Sequence, residues 1–251
     1  MRHGQSQGPS FYAGQRLLRN RCRQIVKNVL RGKGSYACSV IRMTSQTSRN
    51  RLLALDAMGV IYAEADDGQN LLYPFIVENG GCSDVREIIR LYHAASMGWI
   101  SAAAFWKSAG VDPALEDEYL SRHRLSEGLE EFLDESTLHG IELWCLSNDV
   151  SEWSRKLRER FRLGRYFRGF IISGDTGTRK PDPAIYRYLL DKAGYEASNT
   201  VFVDDRLRNI DAAHALGITG ILFNPSPQDS LGHSHVIVRS FPELSNALRF
   251  G

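Results

Sequence analysis

Four positions in this sequence carry side chains that can do chemistry, and three of them close a short apolar run. Asp56 ends Arg51-Leu-Leu-Ala-Leu-Asp56, Ser147 ends Ile141-Glu-Leu-Trp-Cys-Leu-Ser147, and the pair Asp204-Asp205 follows Thr200-Val-Phe-Val. The fourth, Lys180, sits in the turn-rich string Gly177-Thr-Arg-Lys-Pro-Asp-Pro183. A carboxylate such as Asp56 can attack phosphorus or carbon and form a covalent aspartyl intermediate. Ser147 and the neighbouring Asn148 can hydrogen-bond the oxygens of a transferring group. Lys180 can balance the negative charge of nucleophile and substrate. Asp204 and Asp205 are hard oxygen ligands suited to Mg²⁺. Carboxylates meeting at one point repel unless a cation lies among them, so a lysine and an acidic cluster belong to one set. Taken singly, each residue has an ordinary structural use as a turn acid, a helix cap or a solvated charge. Their shared placement at strand ends is what sets them apart.

The elements that must position them read as alternating strands and helices. Further apolar runs lie at Phe167–Ser173, Ile218–Phe223 and Val236–Val238, with helical patterns at Val150–Phe161, Ala184–Ala193 and Arg208–Leu216. Such βα units predict an α/β, Rossmann-like parallel sheet with helices on both faces. Ligands of these sheets bind at the carboxyl ends of the strands, where Asp56, Ser147 and Asp204 fall. The stretch between the first two strands is too long for one crossover. Residues 68–125 hold three helix-like segments, Val85–Met97, Ile100–Ala109 and Pro113–Arg122, with Asp84 and Asp112-Pro113 as start signals. They predict a small helical cap domain, a lid over the strand ends, with residues 51–67 and 126–251 forming the core.

Four motifs give this body a specific resemblance: Leu55-Asp-Ala-Met-Gly-Val60, Leu146-Ser-Asn148, Arg179-Lys-Pro-Asp-Pro-Ala-Ile-Tyr186 and Val203-Asp-Asp-Arg206. Over residues ~51–250 the chain resembles the haloacid dehalogenase-like (HAD) hydrolase superfamily, with a helical cap inserted after the first strand. The resemblance implies Asp56 as nucleophile, Lys180 as its charge partner, and Ser147 with Asn148 at the phosphate. It implies Mg²⁺ held by Asp56, the backbone carbonyl of residue 58 and Asp204, with Asp205 behind these ligands or bound to the ion through water. It also implies a turn and hairpin flap near Gly59–Asp67. The substrate class is then a small phosphorylated metabolite, hydrolysed through an aspartyl-phosphate.

One residue departs from that pattern. In the phosphatases of the superfamily, the position two beyond the nucleophile is a second Asp whose side chain protonates the leaving group; here it is Met58. The carbonyl survives the exchange, but a thioether has no proton to give. The loss expected on an ordinary phosphate ester is about 10²–10⁴-fold, and smaller for a good leaving group. Two alternatives follow. The chain could be a metal- and phosphate-binding module without turnover. It could also be a variant that cleaves C–halogen or C–P bonds. Haloacid dehalogenases are similar in the Leu-Ser-Asn string but use no metal and lack the Asp-Asp pair. Phosphonate-cleaving members use a cap lysine as a Schiff base, for which Lys107 is the candidate, against its plain reading as a solvated helix charge.

Composition sets the outer bounds. The chain has 251 residues, 43% apolar and 24% charged. No run approaches the ~18 apolar residues of a membrane span. Cys22, Cys38, Cys82 and Cys145 are scattered, which fits a reducing compartment better than a disulfide scaffold. The net charge of +2 hides a split: ten of the 31 Lys and Arg fall in residues 1–50, which hold no Asp or Glu, so the remaining 21 face all 29 acids. Residues 1–50 read as a basic extension, with a basic amphipathic helix in 14–31. Organelle targeting, a hold on nucleic acid or an anionic membrane surface, and an optional extension ahead of an internal start at Met43 compete there; the last is adopted. The expected partner is a small molecule, with no nucleic acid and no membrane, in the cytoplasm; oligomeric state is left open. His93, His123, His139 and His214 read as packing or surface residues, the His233/His235 pair as no zinc site, and Trp99, Phe105 and Trp106 as cap core.

Overall fold

The computed structural model describes residues 51–224, 226 and 228–248, all within one compact unit. The basic extension, its amphipathic helix and Met43 lie outside the described residues. Six parallel strands, β1 (Leu52–Leu55), β2 (Glu142–Ser147), β3 (Phe167–Ile172), β4 (Thr200–Asp204), β5 (Thr219–Phe223) and β6 (Val236–Val238), form one sheet in the order β3-β2-β1-β4-β5-β6. Every residue of β1 and β4 is buried, as expected of central parallel strands covered on both faces. Alternate residues divide between two cores: Leu53 and Leu55 point into one, Leu52 and Ala54 into the other.

The helices in chain order are α1 (Tyr73–Glu78), α2 (Val85–Ser96), α3 (Ala102–Ser108), α4 (Glu116–Ser121), α5 (Leu129–Leu138), α6 (Ser151–Arg160), α7 (Ser173–Thr176), α8 (Pro183–Ala193), α9 (Leu207–His214) and α10 (Phe241–Leu248). Their starts follow local chemistry. Asp84 accepts from the Arg86 amide, Ser101 from Ala104 and Asp182 from Ala184, and Pro183 supplies the fixed φ of the first turn of α8. Gly194 ends α8 at φ +73°.

Two local expectations are corrected. The segment after β1 forms no hairpin among the described residues. It is a tight turn in which the Tyr62 amide donates to Ala57 O at 2.8 Å and Gly59 to Tyr62 O at 2.9 Å, with an isolated bridge Met58–Tyr62 inside it and a second, Tyr62–Leu125, joining it to the segment before α5. Gly59 takes φ +77°, and a Cβ there would stand 2.9 Å from the Asp205 carboxyl carbon, so the turn needs glycine twice over. The segment Pro113–Arg122 splits into a 3₁₀ turn, Pro113–Leu115, and α4. A π-helical turn at Gly68–Leu72 and helices α1, α5 and α10 complete the chain path.

The helices between β1 and β2 share their core with α6. Phe75, Phe105, Trp106, Tyr119 and Trp153 pack as one aromatic cluster with centroid spacings of 5.1 to 5.8 Å. Trp99, expected in this core, is instead 67% exposed. No helix among the described residues is long and apolar enough to cross a membrane.

Candidate active site

Sheet register brings the predicted residues together. Leu55 is level with Cys145 on β2 and with Val203 on β4, so Asp56 and Asp204 emerge side by side and Ser147 one residue beyond. The Asp56 amide donates to Val203 O at 2.9 Å, continuing the ladder one step past the strand. Lys180 reaches this edge from the loop before α8. Its Nζ lies 2.6 Å from Asp56 Oδ1 and 2.7 Å from Asp204 Oδ2, with all three side chains nearly sealed from solvent. Asn148 locks the loop: its Nδ2 donates to Lys180 O at 2.9 Å and its Oδ1 accepts from the Lys180 amide at 2.7 Å. The Asn148 side chain is thus engaged by the lysine backbone rather than held free for a phosphate.

Asp204 is clamped from several sides. Besides Lys180, its oxygens accept from the Arg206 amide at 2.8 Å and from Asn209 Nδ2 at 3.0 Å each. Asn209, on the first turn of α9, was not among the expected residues. Its spacing of five from Asp204, which puts it at a helix start facing the strand end, is the signal that could have found it. On Asp56 the bonds fall on Oδ1, which also accepts from the Ala57 amide at 2.6 Å; Oδ2 accepts from no described residue.

Charge explains the titration behaviour. Burial, reinforced by Asp204 and Asp205, raises the Asp56 carboxyl well above the usual range, against the pull of Lys180. Burial works to lower Lys180, but Asp204 and Asp56 outweigh it, so the ammonium holds its proton more tightly than usual. Burial beside Asp204 pushes Asp205 up to about 7. One lysine among three carboxylates leaves negative charge in excess. The acidic oxygens of Asp56, Asp204 and Asp205 lie within 4.8 Å of one another. Three buried oxygens at this edge, Asp205 Oδ1, Ser147 Oγ and Asn209 Oδ1, have no hydrogen-bond partner. Orphaned buried oxygens beside excess negative charge fit a hard divalent cation and a phosphoryl group.

A cavity of about 220 Å³ opens on this edge, lined by Asp56, Met58, Ser147, Asn148 and Lys180. Three arginines not singled out from the sequence, Arg179, Arg206 and Arg208, also line it, as does an apolar wall from the segment 72–92. Single surface arginines carry no periodic signal, and the wall is legible only once α2 is docked. Lys107 is exposed on α3 and does not line the cavity. His235 Nε2 lies 2.7 Å from Asp211 Oδ1 and His233 Nε2 2.8 Å from Asp229 O, and neither joins a group of metal-ligating side chains among the described residues.

Comparisons with known proteins place the chain in a family. The family model for haloacid dehalogenase-like hydrolases matches residues 51–217. The phosphoglycolate phosphatase of Pseudomonas syringae pv. syringae (strain B728a) is 30% identical over 139 residues, 51% of this chain and 48% of that protein. The chain therefore spans about half the length of the curated relatives it matches. The HAD phosphatase of Thermococcus onnurineus superposes with a TM-score of 0.63 at 20% identity, covering 79% of this chain and 98% of that one. A HAD family enzyme of Bacteroides thetaiotaomicron in complex with magnesium and inorganic phosphate superposes with a TM-score of 0.59 at 20% identity, over 68% and 93% of the two chains.

Proposed function

Because the chain belongs to the haloacid dehalogenase-like hydrolase family, we propose that it is a Mg²⁺-dependent hydrolase of a small phosphorylated metabolite, working through an aspartyl-phosphate on Asp56. The observation that carries this reading is the Asp56–Lys180–Asp204 contact at a cavity that Asp56 lines, with Oδ2 of Asp56 accepting no hydrogen bond from a described residue. The phosphatase names of the relatives and the magnesium and phosphate of one structural neighbour support it.

Each residue has a part. Asp56 Oδ2 is the nucleophile, and Lys180 together with the Ala57 amide fixes Oδ1 so that Oδ2 faces the substrate. The unpartnered Ser147 Oγ donates to a phosphoryl oxygen. Asn148 and Asn209 position Lys180 and Asp204. Mg²⁺ would be held by the carboxylates of Asp56, Asp204 and Asp205 and the Met58 carbonyl. When bound it supplies charge neutralisation at the phosphoryl group and lets the three acids ionise together. The helices of residues 68–125 form the lid that shields this edge from water.

Met58 supplies no proton, so turnover of esters with poor leaving groups is slow. That same residue favours the second reading, a phosphate-binding module without turnover. Lys107 does not line the cavity, which favours ester hydrolysis over C–P cleavage through a Schiff base. The test is a panel of phosphate esters, run with and without Mg²⁺, with mass spectrometry of Asp56 after fluoroberyllate or acetyl phosphate treatment. Mg²⁺-dependent phosphate release with an adduct on Asp56 supports the hydrolase. An intact, folded protein that takes no adduct from any compound rejects it in favour of the binding module.

A further inference from the structure

Three guanidinium groups line one cavity that already contains a lysine, and two of them, Arg179 and Arg208, have no carboxylate partner among the described residues. Arg206 stands 3.9 Å from Asp205 Oδ1 and donates to Ala65 O at 3.2 Å. Arg179 Nη1 donates to Ser96 Oγ on α2 at 2.7 Å and has no carboxylate partner among the described residues. Arg208, exposed on the first turn of α9, makes no hydrogen bond or ion pair among them. The three are close enough that Arg208 and Arg206 both oppose the charge of the half-buried Arg179. Asp56, Asp66 and Asp67 line the same cavity, but none forms an ion pair with Arg179 or Arg208, so these two guanidiniums keep their charge for an anion from solution. The transferring phosphoryl group has its own partners in Lys180, Ser147 and the carboxylate edge. The arginines therefore face a second anionic group.

The opposite wall is apolar. Leu72 and Ile88 are buried, Tyr73 and Tyr92 half-buried, and Val85 and Ile89 line the cavity while 38% and 55% exposed. Exposed aliphatic side chains at the mouth of a cavity are the surface an apolar ligand would cover. Met58 is the third constraint. Without a proton donor, an alkoxide leaves slowly, whereas a phosphate group, with a second pKa of about 6, leaves as a stable anion at neutral pH.

Resting on the phosphatase reading above, we infer that the substrate is an organic diphosphate with a compact apolar body, and that Arg179, Arg206 and Arg208 form the subsite for its inner phosphate. Asp56 Oδ2 attacks the terminal phosphorus. The bond from that phosphorus to the bridging oxygen breaks, and its electron pair stays on the bridging oxygen. The organic monophosphate departs as an anion facing the guanidiniums, with no proton required. Water then attacks the aspartyl-phosphate, inorganic phosphate leaves, the water proton passes to solvent, and the Asp56 carboxylate is restored.

The experiment measures kcat/KM with Mg²⁺ for pentyl diphosphate, pentyl monophosphate, inorganic pyrophosphate and phosphoglycolate. It also follows phosphoryl label on Asp56. Pentyl diphosphate should exceed pentyl monophosphate by about 10²-fold, the scale of the missing acid, and pyrophosphate by about tenfold through the apolar wall. Arg208→Gln should shrink the diphosphate-to-monophosphate ratio by about tenfold, and Arg208→Lys should recover part of it. Equal or better turnover of the monophosphate or of phosphoglycolate overturns the inference, as does an Arg208→Gln variant that lowers both pentyl substrates equally. Label on Asp56 from p-nitrophenyl phosphate but not from pentyl diphosphate overturns the inference alone. No label from any compound overturns the phosphatase reading and the inference with it.

Discussion

Two buried acidic sites in this molecule look alike by accessibility and differ in what surrounds them. Glu116, at the start of α4, is 8% exposed; its Oε2 accepts from the indole nitrogens of Trp106 and Trp153 at 2.9 Å each, and Lys156 lies 2.7 Å from Oε1. Three donors satisfy one carboxylate, and the group fastens the helices after β1 to α6. At the sheet edge, Asp56 and Asp204 share one lysine, and Asp205 Oδ1 is buried without a hydrogen-bond partner, with Arg206 Nε 3.9 Å away. A buried acid with matched donors is architecture. Buried acids in excess of their donors are held by the rest of the fold against their own repulsion, and that is where ligand binding can return free energy.

The largest expected effect separates the two sites by activity. Asp56→Asn removes the nucleophile while preserving shape, so turnover of p-nitrophenyl phosphate should fall by at least about 10⁴-fold. Label on residue 56 should vanish, with the circular dichroism spectrum unchanged. Residual turnover within tenfold of the parent would show that Asp56 is not the nucleophile. Next in size, Met58→Asp restores a proton donor. It should raise pentyl monophosphate turnover by about 10²-fold and change an activated aryl phosphate far less. A folded Met58→Asp variant with unchanged rates on both would sink the acid/base argument.

How much of this was legible in the sequence divides along the same line. Asp56, Ser147, Lys180 and Asp204 were readable because each is tied to an element with a strong local signal. Three end strands with unbroken apolar runs, and the fourth sits in a Pro-flanked loop. The parallel sheet followed from the same runs, since central strands buried on both faces leave no alternation to misread. The turn after β1 was misjudged as a hairpin because its bonds run from Gly59 and Tyr62 back onto the turn itself. The bonds of Asn148 to the Lys180 backbone were not foreseen, because a side-chain amide beside a phosphate ligand looks like a second ligand. Only the tertiary position of the Lys180 loop shows where its two bonds go. The arginine cluster and the apolar wall draw on residues from 72 to 208, and no spacing rule connects them.

Glu116 offers the converse test. Glu116→Leu strands two buried indole N–H groups, while Lys156 keeps Asp117 at 2.6 Å, and should cost about 2–4 kcal/mol of unfolding free energy by urea denaturation. Glu116→Gln keeps an acceptor oxygen for the indoles and should cost about half as much. Both should leave the rate of phosphoryl transfer to Asp56 in the folded fraction close to the parent value. A large loss in that single-turnover rate with stability intact would move Glu116 from architecture into the chemistry.

The smallest effect reads the excess charge directly. Burial beside Asp204 raises Asp205 to about 7, whereas an aspartate in the unfolded chain titrates near ~3.9. Between those values the folded chain keeps a proton that the unfolded chain has released. For a raised carboxyl this means stability is highest below the unfolded value and is lost as pH climbs toward 7. Burial shifts Asp56 in the same direction. In EDTA the melting temperature should therefore decline steadily from pH 5 to pH 8. Asp205→Asn, which cannot ionise, should flatten that decline without abolishing it, because Asp56 still contributes. Mg²⁺ binds the ionised acids, so it should raise the melting temperature more at pH 8 than at pH 5. The same scan on Glu116→Gln should keep the parent slope, because the slope belongs to the acids that lack donors. A melting temperature in EDTA that stays level across this range would show that the carboxylate edge carries no unspent charge.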